Sequence, residues 1–446
     1  MTKWFSFDRN ADLPIMHRPI ISKGYSLLSG DMARKGYVGV VDQAVVSVGN
    51  FITCVLLGRF AAPEEYGLFV IVWTTIMIAL AIQNALICTP MSVIGIQRKE
   101  NTSYWGSMLL AQVFLCIGIC IVIITAGMMV YGVSPASFTV SSHFSLIAAA
   151  TFSCLSLLGQ EFFRRLLIIN LNLKDTLFTD LVASTIRLGG LFSLYFMGIL
   201  DTVSSLFIIG FGSLVGALLV YNRSHMTIRL RREGLWLDIT ESWRFGRWVM
   251  AEMLPYVLSV QGYIYLTAFI IGARETAALG ASQNILNATN ILILSLTNIV
   301  TPVASKKYAD GGSTALSNLM IKAGILSAVP ILGFYSITMI FSEEILVLVY
   351  KQNYAGYGVL LVICCVYYIF SYFNRLLQIV LYARKKPNVG FFAKSASLFF
   401  MAILAYPLIS NHGVYGAAFG TIISQIVIFI GYVLYLAGAG KSENNS

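Results

Sequence analysis

Arg187 stands in the middle of an apolar stretch, with Asp180 seven residues before it. An ionised group in hydrocarbon is expensive: a central arginine costs about 2.5 to 3.5 kcal/mol on insertion scales. Arg187 is therefore expected to face a wet cavity or a partner carboxylate, and Asp180, on the same helical face, is a candidate partner. Asp42 and Glu252 lie about six and about five residues inside apolar stretches of their own. When desolvated, such a carboxylate can titrate or hold a cation; near an interface it can instead pair with a basic residue of a loop. Asp42, Asp180 and Glu252 are thus the candidates for ion coupling.

Arg164, Arg165, Arg375 and Lys394 cluster at the ends of apolar stretches. One reading is snorkelling, with apolar stems in the membrane and charges in water. The other is a basic vestibule, in which guanidinium forks meet the phosphate oxygens of an anionic head group. An amide-bearing stretch supplies Gln283, Asn287 and Asn290, spaced to share one helical face, which Asn298 and Thr301 continue approximately. Asn50 and Asn84 occupy the corresponding early helices of the first half. Amides in these places suit sugar hydroxyls, or they join helices at about 0.6 kcal/mol per bond.

The elements that hold these residues are transmembrane helices. The chain of 446 residues is 57% hydrophobic and 11% charged, which excludes an ordinary soluble protein. At about 20 apolar residues per crossing, twelve spans are expected, from 36-58 to 414-437, the eighth running unbroken over 278-303. Of the 30 Lys and Arg residues, Arg59, Arg274 and Lys351 fall on one side and Arg187 within a span; the rest fall on the other side. That bias places both termini in the cytoplasm and explains the net charge of +10 without nucleic acid. All seven cysteines lie in apolar stretches and the four histidines outside the apolar cores, so neither a disulfide framework, a metal site nor a buried histidine relay is expected. Gly438-Ala439-Gly440-Lys441-Ser442 imitates the end of a phosphate-binding loop but lacks its first glycine, where Tyr435 stands, and no cofactor is expected.

The first half is repeated in the second. Gly49, Gly67 and Thr89-Pro90 are answered by Gly262, Gly280 and Thr301-Pro302, and Arg165-Leu166-Leu167 by Arg375-Leu376-Leu377 at an offset of 210. The organisation expected is a cytoplasmic segment 1-35, six helices over 36-221, a linker 222-246, six helices over 247-437 and a tail 438-446. The segment from Leu13 to Lys35 mixes apolar and basic residues and suits either the membrane surface or disorder.

The corner Gly58-Arg59 to Pro63-Glu64-Glu65-Tyr66-Gly67, the Thr89-Pro90 close, the Arg164-Arg165 segment and Gly413-Val414-Tyr415-Gly416-Ala417-Ala418 resemble bacterial polysaccharide transporters. These are the O-antigen (Wzx-type) and exopolysaccharide flippases of the multidrug/oligosaccharidyl-lipid/polysaccharide (MOP) exporter superfamily, and the resemblance covers about residues 31 to 438. It implies two pseudo-symmetric six-helix bundles in the inner membrane, around a cavity that opens to each face in turn. It also implies an undecaprenyl-diphosphate-linked oligosaccharide as cargo, with cationic side chains at the diphosphate and polysaccharide polymerase and export machinery as partners. Arg187, Arg164, Arg165 and Arg375 match that cationic role; the chain departs from the pattern in having one deep arginine and a longer basic N-terminal extension. The same scaffold suits a cation-coupled multidrug exporter using Asp42, Asp180 or Glu252. A membrane glycan polymerase is disfavoured because the loops 132-143 and 342-354 are short and poor in catalytic residues, so a non-enzymatic transporter is expected.

Overall fold

The protein, seen in a computed structural model, is described over residues 31–95, 101–133, 140–224 and 234–443. Residues 1–30, 96–100 and 134–139, linker residues 225–233, the last three residues and the side chain of Asn298 lie outside the described residues. Every long element described is helical, and ten helices are long and apolar enough to cross a membrane. The first half comprises α1 (Asp31–Phe60), α2 (Pro63–Val93), α3 (Asn101–Val133), α4 (Val140–Ile169), α5 (Leu173–Phe196) and α6 (Thr202–Ser224). The second comprises α7 (Leu235–Ile270), α8 (Ala273–Asn287), α9 (Asn290–Ile340), the short α10 (Ser342–Tyr350), α11 (Gly358–Ala383) and α12 (Pro387–Glu443).

α9 and α12 contain 51 and 57 residues, far beyond one crossing, and each is two arms meeting at glycine. Gly312 (φ 63°, ψ −158°) and Gly413 (φ 60°, ψ −142°) take up backbone conformations essentially closed to other residues. With the arms counted separately there are twelve crossing segments among the described residues, the number the sequence implies.

Three boundaries differ from the sequence reading. The eighth span is not continuous: α8 stops at Asn287 and α9 starts at Asn290. Thr289 at the break donates its hydroxyl to the Leu286 carbonyl at 2.8 Å and also bonds the Tyr335 hydroxyl at 2.6 Å, side-chain bonds that compete with the helical ladder. α7 begins at Leu235, so the later part of the expected linker is helix. Its first turns are tied to α3, where Ser107 donates to Asp238 at 2.8 Å and Tyr104 and Ser242 share a 2.9 Å hydroxyl bond. α12 continues to Glu443, making the imitation of a phosphate loop part of a helix. His143, expected outside the apolar cores, is buried at the start of α4 with its Nε2 2.8 Å from the Gly127 carbonyl.

Within the first half α4 and α5 pack on α6, and α1 on α5; in the second α7 and α11 pack on α12, and α9 on α11. The halves meet where α2 crosses α8 and also packs along α7. The repeat-related Gly67 and Gly280 both lie in that crossing: a β-carbon on Gly67 would overlap the Ala273 carbonyl, and one on Gly280 would overlap Val70. Small residues at such a contact let two backbones approach closely, the usual way membrane helices associate. α2 is itself widened by a π-helical turn at Asn84–Cys88 just before Pro90, which has no N–H to continue an ordinary ladder.

Candidate functional site

A cavity of about 570 Å³ lies between the halves. Its walls come from repeat-equivalent elements, α1 and α2 on one side and α7, α8 and the start of α9 on the other. Of the amides singled out from the sequence, Asn50, Gln283, Asn287 and Asn290 line it. Among the described residues no Lys, Arg, Asp or Glu does. Its polar groups are these amides with Gln261, Asn284, Ser47 and Thr74, and its aromatic wall is Tyr66, Phe69 and Trp73. Of the basic and amide walls expected, this cavity shows the amides, joined by rings, and the basic residues named from the sequence are not among its lining.

The break at Ala288–Thr289 shapes the amide face. Asn290 Nδ2 donates to Asn287 Oδ1 across it at 2.9 Å, and the same oxygen accepts the Tyr368 hydroxyl at 2.7 Å. Asn284 is anchored differently, its Nδ2 donating to the Tyr350 hydroxyl at 2.8 Å. Asn84 is elsewhere: it lies exposed on the π-helical turn, where Arg165 reaches its Oδ1 at 3.4 Å. Sequence reasoning missed Gln261, Asn284 and Trp73. Asn284 stands three residues before Asn287 on the unbroken α8, so ordinary helical spacing already places it beside that face.

A smaller cavity of about 100 Å³ adjoins the first, sharing Asn50, Trp73 and Met77 with it. Here Arg187 is buried on α5 and donates from one terminal nitrogen to Asn50 Oδ1 at 2.6 Å, while its Nε has no partner. Asn50 therefore belongs to both cavities and holds Arg187 at the boundary between them. Gly212 allows this, because a β-carbon there would come within 3.0 Å of the Ala183 carbonyl and push α6 away from α5. Asp180 is not the partner of Arg187. Its Oδ2 accepts from Arg164 Nε at 2.6 Å and its Oδ1 from Gln160 at 3.1 Å.

Arg164 is instead the hub of the first half. Its other nitrogens reach Asp42 at 2.7 Å and Glu161 at 3.3 Å, so one guanidinium on α4 joins α1 to α5. Asp42 and Asp180 are 5% and 1% exposed, and Asp42 Oδ1 is left without a partner. Arg165, next along the chain, pairs with Glu161 at 3.0 Å. In the second half Glu252 accepts from Lys394 at 2.9 Å, from the Tyr382 hydroxyl at 2.7 Å and from Gln378 at 3.4 Å. Arg375 donates to Gln378 at 2.9 Å. Among the described residues no group of three or more His, Cys, Asp or Glu is arranged to hold a metal ion.

Solved structures share this arrangement. A multidrug resistance transporter of the MATE family, in an inward-facing conformation, superposes with a TM-score of 0.73 over 92% of this chain and 99% of its own, at 15% identity. Lipid II flippase MurJ, inward closed, gives 0.66 over 90% and 87%, at 12% identity. A MOP superfamily transporter from Pyrococcus furiosus, described as having a binding pocket of reverse polarity, gives 0.63 over 93% and 97%, at 14% identity. This chain has the MOP transporter fold. No family model matches the sequence, and no curated protein matches it. Within the MOP fold, the central cavity lies where two halves of one repeat face each other, and the neighbours named are transporters and a flippase rather than enzymes.

Proposed function

We propose that the protein is a flippase for an undecaprenyl-diphosphate-linked oligosaccharide. It would carry the repeat unit of a surface polysaccharide across the bacterial inner membrane, with both termini in the cytoplasm. The observation that carries this reading is the chemistry of the central cavity. Its size is that of a ligand pocket, its polar lining is amide and hydroxyl, its apolar lining is aromatic, and the charge nearest to it is the single cation Arg187. Amides pair with sugar hydroxyls in either direction, because each carries both donors and an acceptor. Arg187 has its Nε uncommitted and suits a diphosphate through charge-assisted bonds. The polyprenyl tail stays in lipid while the halves rock about the α2–α8 crossing.

The cation-coupled multidrug exporter is the second reading, and the same lining weighs against it. A cationic drug calls for a carboxylate at the cavity wall; Asp42 and Asp180 are held by Arg164, and Glu252 by Lys394. A MOP transporter whose pocket polarity is reversed has been linked to a different function, so lining polarity is a sensible guide to cargo on this fold.

Transport of a fluorescent undecaprenyl-diphosphate oligosaccharide in proteoliposomes tests the proposal. Wild-type flipping is expected to fall at least tenfold in Arg187→Ala, about 1.4 kcal/mol of lost interaction, with partial recovery in Arg187→Lys. Absence of wild-type flipping, together with efflux of a cationic dye driven by a proton gradient, would overturn it in favour of the exporter.

A further inference from the structure

Inside the second half, apart from the central cavity and sharing no lining residue with it, is a polar recess of about 50 Å³. It lies among α7, α11 and both arms of α12, and its walls carry Arg375, Lys394, Asn374, Gln425 and Tyr432. Two features of this space are unexplained by the contacts within the chain. One is charge: Arg375 and Lys394 bring two positive charges, and the carboxylate beside them, Glu252, brings one negative. Arg375 donates to the neutral Gln378 and pairs with no carboxylate. The other is hydrogen bonding. Asn374 Nδ2 donates to both the carbonyl and Oε1 of Gln425, at 2.9 and 2.8 Å, which leaves Gln425 Nε2, Asn374 Oδ1 and the Tyr432 hydroxyl buried without partners. Tyr432 is 1% exposed and Gln425 1%.

Buried donors without acceptors are costly, each by roughly 1 to 3 kcal/mol, and native proteins rarely keep several in one place. An uncompensated positive charge adds to that cost. A bound anion answers both features at once: it accepts from Tyr432, Gln425 and the free N–H groups of Arg375, and it cancels the surplus charge. The size of the space restricts the choice, since a water needs roughly 10 to 15 Å³ of such volume. Its inner volume suits a monatomic ion with a water or two, the water serving Asn374 Oδ1.

We propose that the second half binds a monovalent halide, chloride in the cell, between Arg375, Gln425 and Tyr432. The ion joins α11 to the second arm of α12 and leaves Lys394 to Glu252. This makes the second half a chloride-stabilised unit, independent of what the central cavity carries.

The test is thermal unfolding of the purified full-length protein in lipid nanodiscs, titrated with sodium chloride against sodium gluconate at constant ionic strength. Wild type is expected to show a saturable upward shift with chloride and with bromide and none with gluconate. Tyr432→Phe keeps the ring and removes one donor, and should raise the half-saturating chloride about tenfold. Arg375→Gln should abolish the shift, while Arg187→Ala should retain it even where transport is lost. Should Arg375→Gln not fold, Tyr432→Phe together with bromide located by anomalous scattering decides the matter. A wild type indifferent to halide, or a shift undiminished in the two pocket variants, would overturn the proposal.

Discussion

The two halves answer the same problem, a carboxylate within an early membrane helix, with different chemistry. Asp42 on α1 and Glu252 on α7 lie at comparable depths in equivalent helices, although the spacing of Gly49 and Gly262 there pairs Asp42 with Pro255. In the first half the cation comes from α4, and the position equivalent to Arg164 in the second is Asn374. In the second half the cation comes from α12, and the position equivalent to Lys394 in the first is Ser184. The first half holds a guanidinium between two carboxylates on different helices, whereas the second holds an ammonium on one carboxylate and has a cation left over. Each half keeps a carboxylate on its first helix, but the partner comes from a different place. The first half is therefore locked by its own side chains; the second depends on hydroxyls, amides and, on the inference above, an ion from solution.

Removing Arg164 breaks this contrast most severely. Arg164→Ala leaves Asp42 and Asp180, both almost fully buried, without a countercharge, and loss of one member of a buried ion pair costs about 3 to 5 kcal/mol. Thermal unfolding in nanodiscs should show it as the least stable of the variants here. The charge-neutral Asp42→Asn, Arg164→Gln, Asp180→Asn combination should recover most of the loss, since no unpaired charge remains. Lys394→Ala is expected to cost less, about 1 to 2 kcal/mol, because Glu252 is 21% exposed and keeps Tyr382 and Gln378. Equal losses at the two positions would erase the proposed difference between the halves.

The α2–α8 crossing sharpens the comparison on a smaller scale. Gly67 abuts the backbone carbonyl of Ala273, which can move only with the helix, whereas Gly280 abuts the two methyls of Val70, a side chain that gives more readily than a backbone carbonyl. Gly67→Ala should cost about 1 to 3 kcal/mol and Gly280→Ala less than 1. The same unfolding measurement ranks them, and a larger loss for Gly280→Ala would mean that the two sides of the crossing are equally rigid.

What the sequence made legible follows from the range of each signal. Span count and the repeat of Gly67 in Gly280 depend on apolar runs and fixed spacing, and both appear in the structure. The break in the eighth span carries no proline or glycine at Asn287–Asn290, and it results from Thr289 reaching the Tyr335 hydroxyl 46 residues away. Seven residues on one helix suggested Asp180 as the partner of Arg187, but the guanidinium that reaches Asp180 comes from α4 and the amide that reaches Arg187 from α1. Intrahelical spacing identifies which charges are buried; which of them meet is decided by how α1, α4 and α5 pack.

The smallest effect concerns how each half supports its wall of the central cavity. Tyr368 on α11 donates its hydroxyl to Asn287 Oδ1 at 2.7 Å, steadying a cavity amide from behind. The equivalent residue of the first half is Leu158, which has no hydroxyl; its backbone carbonyl accepts from Gln83 at 2.7 Å, off the cavity lining. A side-chain hydroxyl can be deleted without disturbing a helix, so the second-half wall is the one open to adjustment by substitution. Tyr368→Phe should cost about 0.6 kcal/mol in stability, an ordinary interhelical bond in a membrane. Its effect on transport should be of a different kind. Asn287 keeps Asn290 but loses its second donor, so it turns more freely and accepts sugar hydroxyls less selectively. Steady-state flipping in proteoliposomes is then expected to show a raised apparent KM for the oligosaccharide with an unchanged maximal rate, and less discrimination between repeat units differing in one hydroxyl. A lowered maximal rate with unchanged KM would instead assign Tyr368 to the rocking of α11 against α8, and would move the sugar contacts to the Asn50 side of the cavity.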